Sequence, residues 1–362
     1  MKRVIAGSLL IMMTGVQTVQ AATPAQFDMT AKVYTAKEEE VATGEGADQT
    51  QTEASAGESE KTEESAETPT FGKNTETPIE KKVEQTQELR LRSYSRIEAQ
   101  PVLNWKKVKG AYRYRIYRKA PGKKKYKKVA TVKKSKRSWT DKHAAVHKTY
   151  RYQVKAVAKN GKVLAESKKV KQKAKKTVLV GDSTMRAVRE YYVLPKRYTV
   201  TKIGVNTHSF MTQRYADYSI NGSAATGINK LISLHPDRIF IMMGMNELAW
   251  TSVSGTVKGY EKIIKRIKKK LPKAEVVIMA TSPTSANPGR GTPSNGKINR
   301  LNKALKKMAK RRKVSYYAWS SAFKNKKGYL KASCNDGDGC HWTIKGARIV
   351  VKSVRKYTKK HP

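Results

Sequence analysis

Carboxylates are scarce in this chain where lysine and arginine are plentiful. Of the 28 Asp and Glu residues, sixteen lie before Leu91, leaving twelve against 67 Lys and Arg from Leu91 onward. That part therefore carries +55, although the whole chain carries +48. A field of this sign attracts polyanions and is screened by salt. Cysteine is almost missing: only Cys334 and Cys340 occur. A disulfide between them would close a short loop with little entropic gain, so its benefit would be to hold the intervening turn in shape. No segment after the first few residues approaches the roughly 20 apolar residues of a membrane span. The last residues, Lys359-Lys360-His361-Pro362, form no apolar tail, which argues against a C-terminal anchor. His143 and His147 have helical metal-ligand spacing, but no further ligands accompany them and they read as solvated. Nothing in the sequence asks for a metal or an organic cofactor.

What is present divides the chain into four parts. Lys2 and Arg3, an apolar run over 4–16 and the small-residue end Val19-Gln20-Ala21 have the form of a cleaved export signal over 1–22. The apolar run is too short to span a bilayer. The mature chain is expected to be soluble, secreted or surface-associated, with no transmembrane segment. Residues 23–92, and 35–88 above all, are rich in Glu, Thr, Ser, Ala and Gly with few large apolar side chains. Such a stretch cannot bury enough surface to fold and reads as a disordered acidic linker.

Over 93–175 the pattern turns to period two: Leu103 and Trp105, then Tyr112, Tyr114 and Ile116, then Tyr150, Tyr152, Val154 and Ala156. Alternating aromatic and branched residues make half-buried strands. Gly110, Pro121-Gly122 and Asn160-Gly161 supply turns. This length suits a small β-sandwich. With Leu103-Asn104-Trp105 early and Thr149-Tyr150-Arg151-Tyr152 late, the segment resembles a fibronectin type III module. That resemblance implies a spacer or adhesion unit and carries no catalytic residue.

From 176 to 362 the sequence alternates strand and helix. Continuous apolar strands are expected at 177–180, 198–203, 238–243, 275–280 and 314–319. Between them lie amphipathic patterns such as Val257, Tyr260, Ile264, Ile267 and Leu271. Strands without polar alternation joined by helices of this kind require a parallel sheet covered on both faces, so the fold class is a three-layer α/β/α domain on a five-stranded parallel sheet.

Active sites of open parallel sheets form outside the carboxyl ends of the strands. Ser183 follows the first strand within Gly181-Asp182-Ser183, Gly204 ends the second, Asn246 follows the third within Gly244-Met245-Asn246-Glu247, and Asp338-Gly339-Cys340-His341 precedes the last helix. A serine hydroxyl becomes a nucleophile when an imidazole removes its proton and a carboxylate fixes the imidazole tautomer. Taken singly, each residue has an ordinary explanation: Ser183 as a helix cap, Gly204 as a turn, Asn246 as a loop-stabilising amide, His341 as an interior histidine. Asp182 reads as structural, bonding backbone groups of its own turn.

Taken together, the four blocks resemble the SGNH hydrolases, also called GDSL esterases and lipases, over about half the chain. The family pattern departs at Glu247, where Asp is usual, and at Thr184, where Leu is usual. The resemblance implies a carboxylic-ester hydrolase with Ser183 as nucleophile, His341 as base and Asp338 as its orienting carboxylate. The oxyanion would be held by the backbone N–H groups of Ser183 and Gly204 and by the Asn246 amide. Glu247 and Trp342 border the expected site and could shape an acyl pocket. A lipase, a thioesterase or an acyltransferase would use the same three residues. Export and the appended module point to an acyl-ester substrate such as an acetylated polysaccharide, with electrostatic association to anionic cell-wall polymers and no specific nucleic acid. The alternative is a wall-binding or adhesion protein built on an inactive hydrolase scaffold.

Overall fold

Inward aromatic and branched residues alternating with outward basic ones build the first half of the visible chain. A computed structural model describes residues 88–362, so the expected export signal and all but the last residues of the acidic linker lie outside the described part. Eight strands come first: β1 (Leu91–Ser95), β2 (Pro101–Trp105), β3 (Arg113–Lys119), β4 (Lys127–Lys133), β5 (Ser138–Thr140), β6 (Thr149–Val157), β7 (Val163–Glu166) and β8 (Val170–Lys173). They form two antiparallel sheets in the orders β1-β2-β5 and β4-β3-β6-β7, with β8 beside the first half of β6. Leu103, Trp105, Tyr114, Ile116, Tyr152 and Val154 share the core between the sheets. The Trp105 and Tyr114 rings lie 5.3 Å apart, and the Tyr114 hydroxyl accepts from the Val108 N–H at 3.0 Å. The module begins slightly before residue 93, because β1 starts at Leu91 and Leu89 is already buried and bridged to Ser167.

The second half carries the parallel sheet, β9 (Thr177–Gly181), β10 (Thr199–Thr201), β13 (Arg238–Met242), β14 (Glu275–Met279) and β15 (Ser315–Tyr317), in the order β10-β9-β13-β14-β15. Every adjacent pair is parallel. The continuous apolar runs have a simple cause: alternate side chains enter different cores. Val178, Val180, Ile239, Ile241, Val276 and Ile278 point to one face, which is covered by α2 (Thr207–Thr212), α3 (Gly227–Ser233), α4 (Val253–Lys270) and α5 (Asn295–Arg311). Leu179, Phe240, Met242, Val277 and Met279 point to the other, under α1 (Ser183–Glu190) and α6 (Ile344–Lys360). Both faces are therefore dry, as a parallel sheet requires. Outside the sheet lies an antiparallel hairpin of β11 (Arg214–Ile220) and β12 (Ser223–Thr226). The sequence reading missed it, although its turn, Asn221-Gly222 with φ of 48° and 83°, is a strong hairpin signal.

The two halves lie within one compact unit. Ile97, in the bend between β1 and β2, is fully buried in the core of the α/β half beside Leu179, Phe240 and Tyr357. The Thr177 N–H donates to the Ile97 carbonyl at 3.1 Å, and Arg355 pairs with Glu98 at 2.7 Å. Asp237 accepts from the Lys176 N–H and pairs with His147 Nδ1, each at 2.8 Å. His147 is therefore not a freely solvated residue but part of the junction, which sequence distance concealed. These contacts cluster where β9 and β13 begin, at the opposite end of the sheet from the strand termini that carry Ser183 and Asn246.

Candidate active site

The turn from β9 into α1 has little room. A Cβ on Gly181 would lie 2.4 Å from Met185 Cβ and 2.7 Å from the Met242 carbonyl oxygen, so only glycine lets strand and helix approach this closely. Asp182 then caps α1, its Oδ1 accepting from the Thr184 N–H at 3.1 Å and the Thr184 hydroxyl at 2.7 Å. Burial pushes the Asp182 carboxyl up from its ordinary range, and the Thr184 hydrogen bonds oppose that rise. Ser183 is the first helical residue, half-buried, at a terminus that favours negative charge.

His341 reaches it from a turn far along the chain. Asp338 Oδ1 accepts from the backbone N–H groups of Cys340 and His341, both at 2.8 Å, which folds the turn back on itself. Gly339 sits at φ 88°, and a Cβ there would lie 2.7 Å from Ser285 Oγ. Asp338 Oδ2 pairs with His341 Nδ1, and His341 Nε2 lies 2.8 Å from Ser183 Oγ. Hydroxyl, imidazole and carboxylate thus form one connected chain from residues 158 positions apart. Burial opposes the Asp338 charge, but the Cys340 N–H, the His341 ring and the His341 N–H together hold its carboxyl well below the usual range. An ionised Asp338 on Nδ1 keeps the proton there and leaves Nε2 as an acceptor for the serine hydroxyl.

Residues 179–349 match the model of the GDSL-like Lipase/Acylhydrolase family. The C-terminal domain belongs to that family. Its activity is carboxylic-ester hydrolysis. No curated protein matches the chain. Among solved structures, the chain is similar to a GDSL-like lipase from Bacteroides thetaiotaomicron, at 16% identity over 52% of this chain and 89% of that one, TM-score 0.42. It is also similar to an acetylxylan esterase from Geobacillus stearothermophilus, at 13% identity over 50% and 93%, TM-score 0.38. An Fn3-like protein from Clostridium thermocellum matches at 25% identity over 23% of this chain and 86% of that one, TM-score 0.21.

The other loops of the GDSL-like domain meet at the same end of the sheet. Gly204 follows β10 at φ 71°, a left-handed turn with open space around it, so conformation rather than crowding calls for glycine. Asn246 Nδ2 donates to the Val205 carbonyl at 2.8 Å, tying the third loop to the second. One amide N–H remains for another acceptor. Glu247 and Trp342 do not line an acyl pocket. Glu247 is 4% exposed, and its Oε1 accepts from the Thr207 N–H at the start of α2, at 2.5 Å. Trp342 is 1% exposed and packs against Trp319 and Phe323 beneath the catalytic turn. Both were near the site in sequence, yet both side chains are buried inside the domain.

The two cysteines are free rather than bonded. Cys334 is buried in the core beneath α6, while Cys340 Sγ turns toward Asp338 Oδ2 at 3.6 Å and His341 Nδ1 at 3.5 Å. Burial, and then the Asp338 charge, push the Cys340 thiol up to about 12, so it stays protonated. The donor atoms of Asp338, Cys340 and His341 lie within 4.8 Å of one another and contact each other.

A supporting loop was not legible in the sequence. The Ser285 N–H donates to the Gly339 carbonyl at 2.8 Å, pressing the segment after β14 onto the catalytic turn. Asn295, at the start of α5, holds that segment by donating to the Thr284 carbonyl at 2.9 Å and the Ser285 carbonyl at 3.1 Å. Its only sequence signal was an asparagine near a helix start.

Glu247 supplies a signed pH prediction. Burial raises its carboxyl above the ordinary range, with the Thr207 N–H opposing, and Oε2 has no partner. A folded-state value above the unfolded one means stability that is full at low pH and lost as pH rises through the folded value. Glu247→Gln keeps an acceptor for Thr207 and removes that loss, so it should melt at or above wild type at neutral pH and show no gain below about pH 4. Glu247→Ala, which orphans a buried N–H, should cost about 1–3 kcal/mol in chemical denaturation at every pH.

Proposed function

We propose that this protein is exported and removes short acyl groups, acetyl foremost, from a glycan or wall polymer at the cell surface. The observation that carries the catalytic part is the 2.8 Å contact between His341 Nε2 and Ser183 Oγ, with Asp338 behind the ring. Ser183 Oγ bonds to the ester carbon as its proton passes to His341 Nε2. The tetrahedral oxyanion faces the backbone N–H groups of Ser183 and Gly204 and the Asn246 amide. Its collapse breaks the bond to the alcohol oxygen, which takes the proton back from His341. Water then gives a proton to His341 and adds to the acyl carbon, and a second collapse restores Ser183 and releases the acid.

Three observations support the finer reading. Lys2, Arg3 and the apolar run after them favour export. The His341 and Asp338 side chains remain 36% and 43% exposed, so the site is open to an ester displayed on a polymer. The +55 charge from Leu91 onward suits an anionic surface. The connected triad favours turnover over an inert adhesive scaffold. The test is acetate release from an O-acetylated polysaccharide, beside a series of esters of lengthening acyl chain. Rates should be highest for acetyl and fall with length; a preference for long chains, or no release from any acetylated glycan, overturns this assignment while leaving the domain an esterase.

A further inference from the structure

One edge of the sheet holds a cavity of about 350 Å³ whose walls include neither Ser183 nor His341. β10 is the edge strand here, and Thr201, Tyr218, Lys196, Arg197 and Lys230 line the space. Its charge is one-sided. Asp217, at one end, is occupied with Arg186, Arg189 and Lys202, at 3.5, 3.7 and 3.5 Å. Among the described residues, no carboxylate lies within ion-pair distance of Lys196, Arg197 or Lys230. Lys230 Nζ donates only to the Ser219 carbonyl. A further cation, Lys176, does not line the space but donates to the carbonyl of Leu234, a wall residue, at 2.9 Å. Burial lowers the Lys176 ammonium, and the charges of Lys230 and Arg197 lower it again, against the pull of Asp237.

Two hydroxyls add to the imbalance. Thr201 and Tyr218 are each 1% exposed, and Thr201 Oγ1 and the Tyr218 hydroxyl have no hydrogen-bond partner. Burial holds the Tyr218 phenol protonated, with the nearby Asp217 charge acting the same way, so it remains a donor. Clustered like charges and orphaned buried hydroxyls both cost free energy, and an oxyanion relieves both. A guanidinium flanked by ammonium groups suits an acceptor with several oxygens.

We propose that this cavity is a binding site for a phosphate group, borne by the repeating phosphodiester of an anionic polymer or present as the free ion. The space accommodates one phosphate with its neighbouring polyol unit. The site is separate from the ester chemistry and does not depend on the identity of the ester. Occupied by a polymer, it would hold the enzyme on that polymer through the edge of the sheet and leave the strand ends free.

The test is calorimetric titration of the chain with inorganic phosphate and with short poly(glycerol phosphate) oligomers at fixed salt. Arg197→Gln/Lys230→Gln is compared with Lys306→Gln/Lys310→Gln, which removes equal charge from α5. The pocket pair should bind about tenfold more weakly, and the α5 pair within about twofold of wild type. Turnover of p-nitrophenyl acetate should stay unchanged in both. Tighter binding of the oligomer than of the ion assigns the polymer; binding of the ion alone assigns free phosphate. Equal weakening by the two pairs, or none by the pocket pair, overturns the site. If Lys230→Gln lowers the melting temperature, Lys196→Gln/Arg197→Gln carries the same comparison, because both of these residues are exposed.

Discussion

Ser183→Ala should lower kcat on p-nitrophenyl acetate by roughly four to six orders of magnitude and abolish labelling by a fluorophosphonate, with the melting curve unchanged. The serine side chain makes one hydrogen bond, to His341, so its loss disturbs little besides the chemistry. His341→Ala should cost about as much, and the double variant scarcely more, because nucleophile and base act as one unit. Asp338→Asn should cost roughly 10⁴-fold, since an amide in place of the carboxylate favours the wrong imidazole tautomer. Its effect on folding is signed as well. A carboxyl held below its unfolded value contributes stability that is present above the ordinary carboxylate range and lost as pH falls through the folded value. Labelling of Ser183→Ala at the wild-type rate would show that another residue is the nucleophile.

Asn246→Ala should reduce kcat by about 10²- to 10³-fold with little change in KM, because in the proposed oxyanion hole its second amide N–H would meet charge that exists only in the transition state. Two consequences can be separated. The bond to the Val205 carbonyl is a ground-state contact worth about 0.5–1.5 kcal/mol, visible as a small drop in melting temperature. The rate loss corresponds to about 3–4 kcal/mol. Asn246→Asp preserves size but places a negative charge beside the developing oxyanion, so it should be at least as slow as the alanine variant. A fall in kcat smaller than about tenfold for both would remove Asn246 from the oxyanion hole and reduce it to a loop tie.

The position of the β-module bears on what it can do. Ile97, Glu98 and His147 fasten it where β9 and β13 begin, while the Ser183–His341 pair lies beyond the strand ends. A module held there by a buried isoleucine and several ion pairs is a fixed arm rather than a loosely tethered neighbour. It is fastened at the end of the sheet away from the turn that carries His341.

Much of this arrangement was readable from residue order. The parallel sheet followed from apolar runs at 177–180, 238–243 and 275–280, because only a strand buried on both faces lacks polar alternation. Ser183, Asp338 and His341 could be nominated because each stands in a short local motif beside a strand end or helix start. By itself, then, the sequence determined the class of fold, the division into module and hydrolase domain, the overall charge and the candidate chemistry, all of which depend on neighbours a few residues away. Tertiary structure alone decided that Glu247 anchors α2, that Trp342 lies in the core, that Cys340 stays apart from Cys334, and that His147 joins the two halves. The physical reason is shared: each depends on a partner that the folded backbone brings near from a distant segment, or on the depth at which the side chain lies, and neither leaves a periodic trace along the chain.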